Sequence, residues 1–454
     1  MQQEITTPVP TVPTAHQTAG VHGRSDVSTI FVAGLSDYSQ SLYDALPGAS
    51  EIEIIPLLAM EELRGVDKLP ITDLVELARR RVHHHHRPAS GLVTLLDFPA
   101  MEIVALLGRE MGLRTPSLES VLACTHKYWS RELQRDVAPE CVPDFTAFDP
   151  FAVHGIDDLD IALPVWCKPL NAFCSYLGFG VHSEADLTAG VQAMREKLAR
   201  LADPLAYFMQ RAQLPEHIVA RGAHIGIAEG YIQGEQCTLE GFVHGGEPCI
   251  YACIDSVREP NGSTFSRYQY PSQLPQAVIE RMSNVTCRIM RHIGFDDGCF
   301  NAEFFWERDR DRLWLVEINP RLSQSHCELL EKVDGVSHQQ IAIDIALGRS
   351  PEIIHNQGHS KVAAKFFLRS FRAGEVTRVP SAADLARIEE LVRGATIEIT
   401  VAPGMQLAEM HDQDAYSFEL AHAWIGAEDT PALLAHWDTI RSHLPFKIDG
   451  RPLA

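Results

Sequence analysis

Residues 299–321 read CFNAEFFWE-RDRDR-LWLVEINPR: two apolar-rich runs around a charged five-residue turn, the pattern of a β-hairpin. With the turn centred on Arg310, Glu303 faces Glu317, Asn301 faces Asn319 and Phe305 faces Leu315, all on one side, because side chains alternate with period two. The other side then carries Ala302, Phe304, Trp306, Trp314, Val316 and Ile318, and is core. Opposed side chains sit about 4.5–5.5 Å apart at Cβ, so two carboxylates there destabilise the sheet unless a cation lies between them. Oxygen donors alone, from Glu303, Glu317 and Asn319, favour Mg²⁺ over zinc, with Mn²⁺ a substitute.

Upstream of the hairpin the apolar spacing predicts a helix over 274–293. Before it come a meander with turns at Gly234 and Gly245-Gly246, a helix over 183–201, a strand over 163–168 and a helix carrying Lys127. Together these describe two lobes. Strands at 28–33, 51–56 and 91–96 alternate with helices at 38–45, 71–81 and 101–111, a βαβ order that implies a small parallel sheet. Its first turn, Ala33-Gly34-Leu35-Ser36, lacks the glycine spacing of a dinucleotide fingerprint, which argues against a dehydrogenase. Past the hairpin, a strand at 361–371 and an amphipathic helix at 430–443 read as a packing domain that also offers a surface to the substrate pocket or to a homodimer. The expected organisation is an α/β chain with a disordered tail at 1–26, an N-terminal Rossmann-like parallel βαβ domain at 27–115, a two-lobed core at 116–355 and a C-terminal α+β domain at 356–454.

A chain of 454 residues needs more than one core, and its 45% hydrophobic and 22% charged residues are ordinary for a globular protein. The net charge of −21 argues against a nucleic-acid partner, since neutralising phosphates needs a basic face. No apolar run is long enough to cross a bilayer, so no membrane partner is expected. Ten cysteines without a paired framework suit a reducing cytoplasm. The run His83-His84-His85-His86 reads as a basic helix end facing the negative pole of its dipole, because contiguous side chains on a helix point in different directions.

The segment Glu317-Ile318-Asn319-Pro320-Arg321, preceded by Phe300-Asn301-Ala302-Glu303-Phe304, resembles the metal-binding signature of the ATP-grasp superfamily. Further motifs fall in that family's order. Lys127 in Thr125-His126-Lys127-Tyr128 resembles its first lysine, and Lys168-Pro169 resembles its second. Ser175, within 171–178, falls in its phosphate-covering loop, and Glu229-Gly230-Tyr231-Ile232-Gln233-Gly234-Glu235 resembles its hinge. The resemblance spans Lys127 to Arg321 and implies an ATP-grasp fold with ATP and Mg²⁺ as cofactors. It implies that Glu229 and the backbone of Tyr231 and Ile232 hold adenine, that Gln236 or its neighbour Glu235 meets the ribose, and that Lys127 and Lys168 meet the phosphates and the adenine edge. Glu303, Glu317 and Asn319 would hold the metal. Arg321 would clamp the transferred phosphoryl group and then the acyl phosphate.

The chain departs from the family in a glycine-poor loop at 171–178 and in Leu322-Ser323-Gln324-Ser325-His326, which replaces a small glycine-rich step and marks a distinctive substrate end. The activity implied is that of a carboxylate–amine ligase acting on small, amino-acid-like substrates, with a carboxylate–thiol ligase, a phosphotransferase or a regulatory ATP-binding protein as alternatives. Segments 171–178 and 258–273 are the expected lids, and Arg267 is a candidate for meeting a substrate carboxylate.

Overall fold

The computed structural model describes residues 27–64, 68–172, 176–262, 264–410 and 417–453. The expected tail at 1–26 and Ser175 lie outside the described residues. The N-terminal sheet is parallel, with Ser28–Leu35 between Ile52–Ala59 and Gly91–Thr94. Its central strand is buried along most of its length, as expected of a strand covered on both faces. The helix expected to end near Arg81 runs Ile71–His84, its apolar stripe Ile71, Leu74, Val75, Ala78 and Val82 turned to the core.

Two antiparallel sheets follow. The smaller has the order Phe145–Phe148, Gly226–Gly230, Val165–Pro169, Phe179–Val181. The larger has eight strands in the order Arg312–Asn319, Gly298–Glu307, Glu235–His244, Glu247–Arg258, Phe265–Tyr270, Val362–Ser370, Phe418–Ala427, Thr396–Ile399. The amphipathic helix Gln276–Ile293 lays Met282, Ile289 and Met290 on the apolar side of this sheet, against Leu239, Phe300, Phe304 and Leu315. That packing leaves the opposite face of the hairpin free to carry polar groups. No described helix is long and apolar enough to cross a membrane.

The two sheets are joined by residues 231–234, within the stretch 229–235 read from sequence as the hinge. Gly234 is obligatory there. Its φ is 147°, and an added Cβ would lie 2.5 Å from the Trp306 carbonyl oxygen, so the connection passes directly over the hairpin backbone.

The hairpin register holds at its far end and fails near its turn. Asn301 pairs with Asn319, Ala302 with Ile318 and Glu303 with Glu317, but Phe304 pairs with Leu315 and Phe305 with Trp314 rather than with Leu315. Val316 is the extra residue of a β-bulge. Leu313 and Leu315 therefore face the core, while Trp314 and Val316, expected in the core, are half-buried. The cause is the turn, where Arg308–Arg310 wind into a 3₁₀ turn closed by Asp311 at φ 47°, one residue tighter than a turn centred on Arg310.

The second part of the expected lid at 258–273 is a strand of the large sheet, since Phe265–Tyr270 pairs with both the preceding strand and Val362–Ser370. Alternation puts Arg267 on the opposite face from Tyr268, with its Nε donating to Gln269 Oε1 at 3.0 Å. Tyr268 is the one that packs against His326, its ring centroid 5.2 Å away.

Candidate functional site

Three elements bring the candidate residues together: the far end of the hairpin, the start of the helix Lys127–Val137, and the strand Val165–Pro169 of the smaller sheet. Lys127 is the first residue of its helix, capped by the His126 side chain, and its Nζ donates to Glu317 Oε2 at 2.6 Å. Lys168 lies one residue before the end of an alternating strand and donates to Glu229 Oε2 at 2.6 Å. Asp97, Thr125, Lys127, Asn171, Glu317 and Asn319 line one cleft.

Glu303 and Glu317 stand side by side with different electrostatics. Burial and the neighbouring Glu317 charge push the Glu303 carboxyl up to about 7. Burial also opposes ionisation of Glu317, but Lys127 and Lys168 outweigh it and hold that group below the ordinary glutamate value. Asn319 spends its amide hydrogens on Asn301 Oδ1 at 2.9 Å and Glu303 Oε1 at 3.2 Å, which turns its own Oδ1 outward as an acceptor. Two carboxylates and an amide oxygen, with no thiol or imidazole among them, fit a hard divalent cation such as Mg²⁺. A cation between the two carboxylates relieves the repulsion that raises Glu303.

Two carboxylates of the expected hinge, Glu229 and Glu235, are engaged in ion pairs. Glu229 does not present a free carboxylate: it is buried between Arg131, at 2.5 Å, and Lys168. Burial alone raises its carboxyl, yet the two cations overcome it and bring it down to about 2. Burial in turn lowers Lys168. Tyr231 is exposed and Ile232 half-buried, both on the connection between the sheets. Gln236 donates to Glu303 Oε2 at 3.1 Å while its Oε1 accepts from Arg258, so this side chain orients a carboxylate of the hairpin. Glu235 is exposed and paired with Arg308 at the hairpin turn.

Several residues of the site were not singled out from sequence. Asp97, beyond the third strand of the N-terminal sheet, holds Arg321 at 2.5 Å through both Nε and a terminal nitrogen. Burial lowers Arg321, but Asp97 more than compensates and holds it above its ordinary value. Arg131 bonds Glu229 and also donates to the carbonyls of Leu315 at 2.7 Å and Val316 at 2.8 Å, the two residues of the bulge. Glu240 is fully buried, with its carboxyl pushed well up by burial. It accepts from the Ser323 N–H at 3.3 Å and bonds His326 Nδ1 at 2.7 Å. The step after Arg321 is thus anchored to the sheet floor. Lys365 and Trp424 tie it from the far strands, bonding the Ser325 hydroxyl at 3.0 Å and carbonyl at 3.2 Å.

Residues 161–328 match the sequence family described as the ATP-grasp domain. The carbamoyl phosphate synthase large chain of Bifidobacterium longum strain DJO10A is 22% identical over 365 residues, covering 76% of this chain. The present chain spans 30% of that relative's length. Among solved structures, the L-amino acid ligase of Bacillus licheniformis superposes with a TM-score of 0.67 at 13% identity, over 93% of this chain and 99% of that one. Phosphoribosylglycinamide synthetase from Anaerococcus prevotii superposes with a TM-score of 0.59 at 13% identity, over 93% and 100% of the two chains. Residues 161–328 therefore form an ATP-grasp domain, and the chain as a whole shares its fold with these solved structures.

Proposed function

We propose that this protein is an ATP-dependent ligase that activates a carboxylate as an acyl phosphate and joins it to an amine, forming an amide with release of ADP and phosphate. The observation that carries the reading is the cluster Glu303, Glu317 and Asn319 with Lys127 and Arg321 around it, at the meeting of the two sheets. A protein that only bound nucleotide would not need a half-buried arginine held by Asp97 beside paired carboxylates.

In this proposal a substrate carboxylate oxygen attacks the γ-phosphorus, the bond to the β-phosphate oxygen breaks, and ADP leaves. The amine then attacks the acyl carbon, sheds a proton, and phosphate leaves. Protein groups contribute charge and position, because the charge of the transition state is spread over phosphoryl oxygens. Lys127 and Lys168 exchange Glu317 and Glu229 for nucleotide phosphates, and Arg321 meets the transferred group. Glu303, Glu317 and Asn319 would hold Mg²⁺, which would supply charge neutralisation at the phosphates. The expected lid at 171–178, of which 173–175 lie outside the described residues, would limit access of water to the acyl phosphate. Amino-acid-like substrates are favoured by the likeness in fold to an L-amino acid ligase.

The test is phosphate release from ATP and Mg²⁺ across a matrix of amino acids and small carboxylates, with hydroxylamine as surrogate amine. Carboxylate-dependent hydroxamate that disappears in Glu317→Ala is the expected result. Tight ATP binding without turnover anywhere in a broad matrix would overturn the proposal in favour of a regulatory protein.

A further inference from the structure

The histidine run at 83–86 sits differently from a helix end with diverging side chains. The helix Ile71–His84 stops one residue before His85, whose ψ of 143° is extended, so His85 and His86 leave the helical screw. Their rings come to the same side, with centroids 4.4 Å apart. Facing them is Glu53, on the edge strand Ile52–Ala59 of the N-terminal sheet. Ligand atoms of Glu53, His85 and His86 all lie within 4.8 Å of one another, and His85 Nε2 is 4.0 Å from Glu53 Oε1. That span closes to ordinary metal–ligand geometry with small side-chain rotations.

The surroundings hold two of the three groups in place. The His85 ring meets the edge of Phe31 at 5.4 Å, and its Nδ1 lies 3.2 Å from the Arg87 carbonyl oxygen. The Arg87 N–H also lies 3.3 Å from Nδ1; with the ring proton on Nδ1 and donated to the carbonyl, Nε2 would keep its lone pair on the Glu53 side, the backbone-buttressed arrangement common among metal-bound imidazoles. Glu53 Oε2 accepts from Thr29 Oγ1 at 3.3 Å and pairs with Arg87 at 3.4 Å, so Oε1 is the oxygen left toward the histidines.

We infer that Glu53, His85 and His86 form a binding site for a borderline divalent cation of the zinc, cobalt or nickel class. Two imidazoles and one carboxylate suit such ions better than Mg²⁺, and three protein ligands leave an open coordination position. The site is separate from the hairpin carboxylates and clips the end of a helix to the edge strand beside it. Binding there stabilises the N-terminal domain by linkage, since the unfolded chain does not hold the three groups together.

The test is a Zn²⁺ titration of the full chain against a chromophoric chelator, with millimolar Mg²⁺ present to occupy the hairpin carboxylates. One equivalent of Zn²⁺ is expected to bind, and to raise the melting temperature. Glu53→Gln and His86→Ala are each expected to weaken binding by at least about tenfold and to abolish the thermal shift, while melting like the wild type without metal. The double variant His83→Ala/His84→Ala is expected to bind as the wild type does. Failure to bind one equivalent overturns the inference, as does wild-type affinity in Glu53→Gln. Loss of binding in the His83/His84 double variant also overturns it, because the run would then be acting as an unstructured chelator.

Discussion

Metal affinity at the hairpin is expected to fall as pH drops through 7, because Glu303 must be ionised to act as a ligand and its carboxyl is raised to about 7. At pH 8 roughly nine-tenths of such groups are ionised and at pH 6 roughly one-tenth, so the apparent affinity falls about tenfold between them. A carboxyl of ordinary acidity, near about 4.3, changes its ionised fraction by only about 2% over the same range. The assay is a Mn²⁺ titration without nucleotide, so that phosphate ionisation does not intrude, with free Mn²⁺ read by electron paramagnetic resonance. Calorimetry in buffers of different ionisation enthalpy adds a count: roughly one proton released per ion bound at pH 6, and roughly a tenth of one at pH 8. An affinity flat from pH 8 to 6, with no proton release at pH 6, would refute the claim that burial and Glu317 together hold a proton on Glu303.

Asp97→Asn removes the charge from the two bonds that hold Arg321, and at this partly accessible pair the loss is about 1–2 kcal/mol. The kcat for hydroxamate formation is expected to fall roughly 5- to 30-fold with the KM for ATP little changed; an unchanged kcat removes Asp97 from the site. Glu229→Ala leaves Arg131 and Lys168 buried without their shared partner and is expected to cost about 3–5 kcal/mol in urea unfolding at pH 7. The sign with pH follows from the depressed carboxyl: its contribution is fully present above the unfolded value of about 4.3 and is lost as pH falls toward about 2, so the gap between variant and wild type narrows near pH 3. Gly234→Ala forces a Cβ to within 2.5 Å of the Trp306 carbonyl, and a lowered denaturation midpoint is expected, by on the order of 1–3 kcal/mol.

The carboxylate pairing was legible because period-two alternation is a local rule, and the apolar partners Phe304 and Ile318 leave Glu303 and Glu317 only one face to occupy. The same rule places Gln236, Thr238 and Glu240 on the polar face beside them and Cys237 and Leu239 in the core, so the buried Glu240 could have been found from the alternation of 236–240. Asp97 and Arg131 were not legible, since their partners lie 224 residues away for Arg321 and 184 and 185 away for Leu315 and Val316. No local pattern carries a contact of that separation.

The bulge explains why the site survives a turn one residue tighter than alternation alone would place it. Carried straight through from the pairing of Glu307 with Arg312, the register would set Glu303 against Val316 and Ala302 against Glu317, driving a carboxylate into the apolar face. Leaving Val316 unpaired restores the opposition of Glu303 and Glu317 before the cleft is reached. A bulge on an edge strand leaves backbone carbonyls without ladder partners, and here the guanidinium of Arg131 takes those of Leu315 and Val316. The same guanidinium binds Glu229, which binds Lys168, so one buried arginine couples the register of the carboxylate hairpin to the strand that carries the second lysine. The two halves of the cleft are therefore set relative to each other through a backbone irregularity, and the precision of the site rests on Arg131 as much as on the residues that would touch substrate.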